Sequence, residues 1–171
     1  MTMLRQLMTV VRRVRQHHAI EHATMTILAA GDPDVHLIAR SDHHGFVVYG
    51  DVDTERLAAA VEEALRRLRR GESHLAVHPN CGTNIVTAGL LAGFASYAVT
   101  SRRRRWYDQL PFALSAGILS LLAAQPLGRL AQERLTTLPE VSDVALKDVT
   151  VTRSRGRTVH RVRFRHGSAP S

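Results

Sequence analysis

Near the amino terminus, two histidines and a glutamate have the spacing HxxEH: His18, Glu21 and His22. On a helix, residues four apart project from the same side, so the two imidazoles can reach one metal ion. Glu21 then lies beside them, where a carboxylate can take a proton from a bound water molecule. The spacing therefore predicts a metal site in which Glu21 is the catalytic base.

A second group of candidate ligands lies in the loop HPNCGTN, where His78 and Cys81 are three residues apart. The proline stiffens this loop and the glycine permits a positive φ, so both side chains can turn toward one point. Imidazole and thiolate together favour Zn²⁺, or another transition metal, over Mg²⁺ or Ca²⁺. We predict four metal ligands: His18, His22, His78 and Cys81.

Each of these residues also has a structural explanation. A lone buried histidine is usually a hydrogen-bonded core residue, and a lone buried cysteine usually behaves as a small apolar side chain. However, His18 and His22 replace apolar residues on the apolar stripe of their helix, where an unpaired imidazole is costly to bury. We therefore favour a metal site. Three protein ligands leave room for a catalytic water, whereas four close the site, and the sequence leaves this choice open.

The elements that position these residues begin with an αββα unit. Apolar residues at intervals of three and four predict an amphipathic helix from Thr2 to about Ala30, with its apolar stripe facing the core. Two short strands follow at 35–39 and 45–49, around a turn at 41–45. A second helix begins at Asp53 or Thr54 and ends before Gly71.

Two uncharged segments follow the HPNCGTN loop. Residues 85–100 are apolar or small, and 109–128 contain no charged residue and are rich in Leu and Ala. Helices of about 18–20 residues can just cross a hydrocarbon core of about 30 Å. Trp106 and Tyr107, between them, are typical of a membrane interface. The alternative is a buried helical hairpin in a soluble protein. Gly89 and Gly93 form a GxxxG pattern, through which we expect a homo-oligomer.

The remaining chain predicts a second β-hairpin, with strands at 144–151 and 158–164. The predicted fold is α+β: the αββα unit and the C-terminal hairpin form a small antiparallel sheet, and a hydrophobic transmembrane hairpin interrupts them. The predicted domains are 1–82, carrying the metal site; 83–128, the hydrophobic hairpin; and 129–171, which packs on the first domain.

The chain is strongly basic, with a formal net charge of +8. This charge suggests nucleic acid or an anionic membrane as a partner. No RNA-recognition signature, zinc-finger spacing or interleaved aromatic pattern accompanies the arginines, so we expect a lipid bilayer and no nucleic acid. Arg12, Arg13 and Arg15 interrupt any apolar run that could form a signal peptide. Cys81 is the only cysteine, so an intramolecular disulfide is excluded, and a thiolate ligand suits a reducing compartment.

The two motifs together resemble those of the YqhQ-type bacterial membrane proteins, and specifically an uncharacterised subgroup with two membrane helices. In that family an HxxEH-type helix is followed by an HPxCGT loop that enters a hydrophobic helix. The likeness covers roughly Gln16 to Thr26 and His78 to about Leu91, with looser agreement over the αββα unit. It carries over to seven positions: His18, Glu21, His22, His78, Cys81, Gly82 and Thr83. This chain differs in its shorter length and in having Asn84 after CGT.

The resemblance implies a predicted metal-dependent enzyme, which we interpret as a zinc hydrolase of peptidase type with no identified substrate. It also implies the bacterial inner (cytoplasmic) membrane, and we expect the soluble segments to face the cytoplasm. The alternative function is structural: a non-catalytic membrane module in which the same four ligands staple the first helix to the hydrophobic hairpin.

Overall fold

The computed structural model describes residues 2–100, 105–154 and 156–167. The chain forms two compact units: the first comprises Met1–His78 together with Thr136–Ser171, and the second comprises Pro79–Leu135. The second unit is therefore an insertion within the chain of the first.

The helices of the first unit are α1 (Thr2–Gly31) and α2 (Thr54–Arg69), followed by a short 3-10 helix at Ser73–Ala76. The α2 helix begins as the sequence predicts, because the Asp53 side chain accepts a hydrogen bond from the Arg56 N–H at 2.8 Å. The short helix was not predicted. It places the carbonyl of Ala76 beside α1, where it takes part in the candidate site.

The strands of the first unit form one four-stranded antiparallel sheet in the order β1-β2-β4-β3. Their bounds are β1 (Ile38–Asp42), β2 (Gly45–Tyr49), β3 (Val144–Ser154) and β4 (Arg157–His166). The two hairpins join through β2 and β4, where Gly45 is opposite Arg163. A Cβ at Gly45 would overlap the carbonyl of Val162, so this close approach requires glycine. The predicted α+β fold with a small antiparallel sheet is confirmed.

The first strand lies three residues later than the sequence pattern indicates, at Ile38–Asp42 instead of 35–39. The reason is the turn: Asp42 pairs with Gly45 across only His43 and His44. The Asp42 carboxylate accepts hydrogen bonds from the backbone N–H groups of His44 (2.8 Å) and Gly45 (3.2 Å). This aspartate turn sets the register of the hairpin and places Ser41 and Asp42 inside the strand.

The core of the first unit lies between the two helices and one face of the sheet. It contains Ile20 and Ala23 of α1, Leu57 and Leu65 of α2, and strand residues that include Phe46, Val48 and Val162. The first half of α1 takes no part in this core. Leu4, Leu7 and Met8 are 66%, 58% and 64% exposed, which corrects the prediction that the entire apolar stripe faces the core. Among the described residues of α1, the first buried one is Gln16.

The second unit contains α3 (Gly82–Thr100) and α4 (Trp106–Ala131), and a single π-helical turn follows at Gln132–Thr136. The two helices pack as an antiparallel hairpin: the Ser96 hydroxyl donates to the Ala113 carbonyl at 3.1 Å, and Gln132 Nε2 donates to Asn84 Oδ1 at 2.8 Å. Both helices are long and apolar enough to cross a membrane. Arginines 102–104 of the predicted interfacial loop, and the C-terminal residues 168–171, lie outside the described residues.

Candidate metal centre

His18 and His22 lie side by side, because one turn of α1 separates them. Their ring centroids are 4.3 Å apart, and the ring planes are inclined by 62°. A donor nitrogen of one ring lies within 4.8 Å of a donor nitrogen of the other. His22 is buried and His18 is half-buried. A single ion of suitable size can therefore contact both imidazoles.

Hydrogen bonds to backbone carbonyls orient both rings. His22 Nδ1 donates to the carbonyl of Ala76 at 2.8 Å, and His18 Nδ1 donates to the carbonyl of Thr136 at 3.1 Å. Since a carbonyl oxygen only accepts, the neutral rings carry their proton on Nδ1 and their lone pair on Nε2. Histidines that bind metals almost always donate their other ring nitrogen in this way. The two rings are therefore oriented as metal ligands usually are.

His78, the last residue before the second unit, also lies near this pair. Its ring centroid is 5.9 Å from that of His22, and it is half-buried. The short helix at Ser73–Ala76 explains why His78 lies near His22. The carbonyl of Ala76 accepts the hydrogen bond from His22, and His78 follows Ala76 by two residues. The structure thus brings three of the four predicted ligands together within the first unit.

Glu21 is also buried, with 7% of its surface exposed. The hydroxyl of Ser41 donates a hydrogen bond to Glu21 Oε2, which ties the carboxylate to β1. The spacing of the motif indicated Glu21 but not its partner. Ser41 lay outside the strand predicted at 35–39, whereas it belongs to β1 in the structure. The carboxylate therefore has a defined orientation one helical turn from His18.

Cys81 belongs to the second unit, where it immediately precedes α3. The thiol is free, and its sulfur accepts the Thr83 N–H at 3.4 Å. This N–H and the positive end of the helix dipole both favour a thiolate. Only Pro79 and Asn80 separate Cys81 from His78, so the two Cα atoms are at most about 11 Å apart.

The loop that carries Cys81 is held by Asn84. Asn84 Nδ2 donates to the carbonyl of Pro79 at 2.6 Å, and Asn84 Oδ1 accepts from Gln132 of the π-helical turn. Gly128 lies so close that a Cβ there would overlap Asn84 Oδ1. Asn84 thus links the loop before α3 to the turn that follows α4.

A second histidine pair, which we did not predict, lies next to the first. His17 is completely buried; its Nδ1 donates to the Asp42 carbonyl at 2.7 Å, and its Nε2 lies 3.0 Å from His166 Nε2. His17 also stacks on Phe164, with ring centroids 5.0 Å apart. Burial lowers the pKa of His17 to about 4, so the ring is neutral at physiological pH.

The proton positions in this second pair follow from the partners. His17 uses its only proton at Nδ1, so His166 Nε2 must be the donor in the contact between the two rings. On its other side His166 faces Asp143, which also accepts a hydrogen bond from Gln16 Nε2 at 2.7 Å. The alternation of β4, in which His160, Val162 and Phe164 face inward, could have indicated His166 as a partly buried residue.

Two comparisons with known proteins bear on this chain. A family described as Domain of unknown function (DUF6391) matches residues 13–149, which include both histidine motifs. An uncharacterized protein from Picosynechococcus sp. is 37% identical over 163 residues, covering 89% of this chain and 79% of that protein. No solved structure matches the chain. Neither match extends the resemblance to YqhQ-type proteins.

Proposed function

Because this chain belongs to the DUF6391 family, we propose a function for it that rests on residues inside the matched segment. It is a membrane-anchored metal protein, with hydrolysis as its reaction. The ligands that we assign are His18, His22 and Cys81, a His/His/Cys donor set. Zn²⁺ is the ion that best suits two imidazoles and one thiolate, and other transition metals of similar softness are the alternatives.

The observation that carries this proposal is the pair of hydrogen bonds from His18 Nδ1 and His22 Nδ1 to backbone carbonyls. They direct the lone pairs of two adjacent, largely buried rings to Nε2, and two such lone pairs close together favour a bound cation. The support for Cys81 is chain connectivity. It follows the half-buried His78 by three residues, and its sulfur accepts a helix N-terminal N–H, which suits a thiolate ligand.

Three protein ligands leave one tetrahedral position for water, and a metal ion there would make that water more acidic and more nucleophilic. Glu21 is the residue we assign as the general base. Its neighbour His22 and the residue one turn earlier, His18, are both proposed ligands, so its carboxylate would be the nearest base for a water bound to the ion. The Ser41 hydroxyl orients that carboxylate. The substrate class that we assign is a peptide, which agrees with the HxxEH motif of some zinc peptidases.

The hydrophobic hairpin of α3 and α4 is the membrane anchor in this proposal. Large apolar side chains on its surface are exposed, among them Phe94 (71%) and Leu122 (70%), as expected for helices that contact lipid. We place it in the bacterial inner membrane. The first unit faces the cytoplasm, since an arginine-rich segment is difficult to export and a thiolate ligand requires a reducing compartment.

The first experiment is metal analysis of the full chain purified in detergent. We expect about one transition metal ion per chain, and cobalt substitution should give the charge-transfer absorption of a Co²⁺–thiolate bond. Cys81→Ser should remove that absorption, whereas Ser115→Ala, on an exposed part of α4, should leave it unchanged. Protein without stoichiometric metal, and with no cobalt binding, would contradict the proposal.

The second experiment tests catalysis with Glu21→Gln, which keeps the size of the side chain. We expect the variant to retain its metal and fold and to cleave a fluorogenic peptide library about 10²–10⁴-fold more slowly than the wild type. Glu62→Gln, on an exposed part of α2, is the matched control and should cleave normally. Equal rates for Glu21→Gln and wild type would remove Glu21 from the reaction.

One observation favours a second candidate function, the structural staple. The ring of His78 is 5.9 Å from that of His22, so a small movement could supply a fourth ligand and close the site to water. In that case Glu21→Gln is nearly silent, no peptide is cleaved, and His78→Ala lowers the melting temperature as strongly as His22→Ala does. On the hydrolase proposal, His78→Ala leaves the metal bound.

A further inference from the structure

The first half of α1 presents an apolar surface that none of the described residues of the first unit covers. Its large side chains are between 41% and 86% exposed: Met3, Leu4, Leu7, Met8, Val10 and Val11. At 100° per residue these positions occupy a continuous arc of one helix side, which we call the α1 face. Exposed apolar patches of this kind usually mark an interaction site.

Positive charge borders the α1 face. Arg5 and Arg12 lie just beyond one edge of the arc, and Arg13 lies just beyond the other edge. Arg12 is half-exposed although it also contacts Asp143 at 3.4 Å. No acidic residue occurs before Glu21, so this part of the helix is purely cationic.

We propose that the α1 face binds an anionic lipid surface, with the helix lying in the plane of the headgroups. An apolar arc bordered by arginines is the pattern of helices at the membrane interface, where apolar side chains enter the acyl boundary and arginines meet lipid phosphates. The charge of the arginines selects a lipid surface in preference to a second copy of this helix, because two such cationic helices would repel each other.

This inference rests on the proposed membrane anchor. A hairpin of two crossings returns the chain to the side from which it entered, so both junctions to the first unit, at His78 and Thr136, emerge on one surface of the bilayer. The first unit is thereby tethered at that surface, and the α1 face needs to bind lipid only weakly to remain there.

The experiment is hydrogen–deuterium exchange of the full chain in nanodiscs of phosphatidylcholine alone, or of phosphatidylcholine with phosphatidylglycerol. We expect the amides of residues 3–13 to exchange at least about tenfold more slowly in the anionic discs. Arg5→Gln should speed this exchange about fivefold, since one such charge contributes about 1 kcal/mol. Leu4→Ser combined with Leu7→Ser should remove the protection.

The control is Gln6→Ser combined with Thr9→Ser, which also introduces two serines but outside the apolar arc, and it should preserve the protection. Equal protection in both kinds of disc would overturn the inference, because it would show that protein covers the α1 face. Rapid exchange in both would also overturn it. Failure of the anchor itself is seen separately, as full-length protein that does not co-elute with the discs.

Discussion

Two histidine pairs that include residues of α1 use the same side chain for opposite purposes: His18 with His22, both on α1, and His17 of α1 with His166 of β4. His17, His18 and His22 all donate Nδ1–H to a backbone carbonyl, so the difference lies in what each Nε2 meets. The Nε2 of His17 meets the Nε2 of His166 at 3.0 Å, a contact in which one ring donates and the other accepts. In His18 and His22, both rings present an acceptor.

This difference teaches that neighbouring residues of one type cannot be assigned from spacing alone. A donor and an acceptor satisfy each other, and such a pair only holds elements together. Two acceptors in adjacent rings need a cation between them or donors from elsewhere. The His17–His166 pair should therefore contribute to folding stability without metal, and the His18–His22 pair to metal affinity.

The strongest test of this comparison is His22→Ala. Structural zinc sites bind with about 10–16 kcal/mol, so one of three or four ligands contributes roughly 3–4 kcal/mol. We therefore expect metal affinity to fall about a hundredfold to a thousandfold, measured by competition with a chromophoric chelator. An affinity within tenfold of the wild type would show that His22 is not a ligand.

His17→Ala should have the next largest effect, but on a different quantity. It removes a fully buried ring, two hydrogen bonds and a stacking contact, and should lower the free energy of unfolding by about 2–4 kcal/mol. Metal affinity, measured well below the melting temperature, should change less than threefold. If His17→Ala instead lost its metal as His22→Ala does, the two pairs would form one site.

His166→Gln tests the same pair from the side of its partly buried member. Glutamine can still donate toward His17 Nε2, so we expect a loss of only about 1 kcal/mol in unfolding free energy, measured by chemical denaturation. His166→Leu, which cannot donate, should cost more because it leaves the buried His17 nitrogen unpaired. The decisive result is a larger loss of unfolding free energy in His166→Leu than in His166→Gln. Equal losses in the two variants would mean that only the volume of the ring matters.

The smallest expected effect concerns the loop of Cys81. Asn84→Ala removes the bonds to the Pro79 carbonyl and to Gln132, and should weaken metal binding about threefold to tenfold by loosening the thiolate ligand. Asn80→Ala, an exposed residue of the same loop, provides the comparison. Unchanged affinity in Asn84→Ala would separate the loop contacts from the metal site.

Much of this fold follows from periodicity. The αββα unit, the second hairpin and the two uncharged helices are all visible as apolar stripes, alternation or runs without charge. The sequence pattern failed where a side chain set the geometry. Asp42 closes a two-residue turn through its carboxylate, and that local interaction shifts β1 relative to its apolar residues.

The candidate site was predictable in its residue types but not in its supports. The HxxEH spacing indicated His18, Glu21 and His22, because a helix fixes which residues share a side. Their partners are the carbonyls of Ala76 and Thr136 and the hydroxyl of Ser41, and these come from segments 20 to 118 residues away. Spacing carries no information about such contacts. The exposed α1 face was missed for a similar reason, since an apolar stripe does not say whether the core extends far enough to cover it.

The position of the insertion also has a consequence for the order in which the protein is made. Pairing of β2 with β4 joins residues more than a hundred positions apart, such as Gly45 and Arg163. A ribosome completes both hydrophobic helices before it has synthesised β3 and β4. The β1–β2 hairpin therefore remains without its partner strand β4, and the edge of β2 stays unpaired, until the α3–α4 segment and the strands after it have been synthesised. On the proposed membrane location, the α3–α4 hairpin enters the bilayer before the unit that carries the histidines can fold, and slow entry should appear as aggregation or proteolysis of newly made chains.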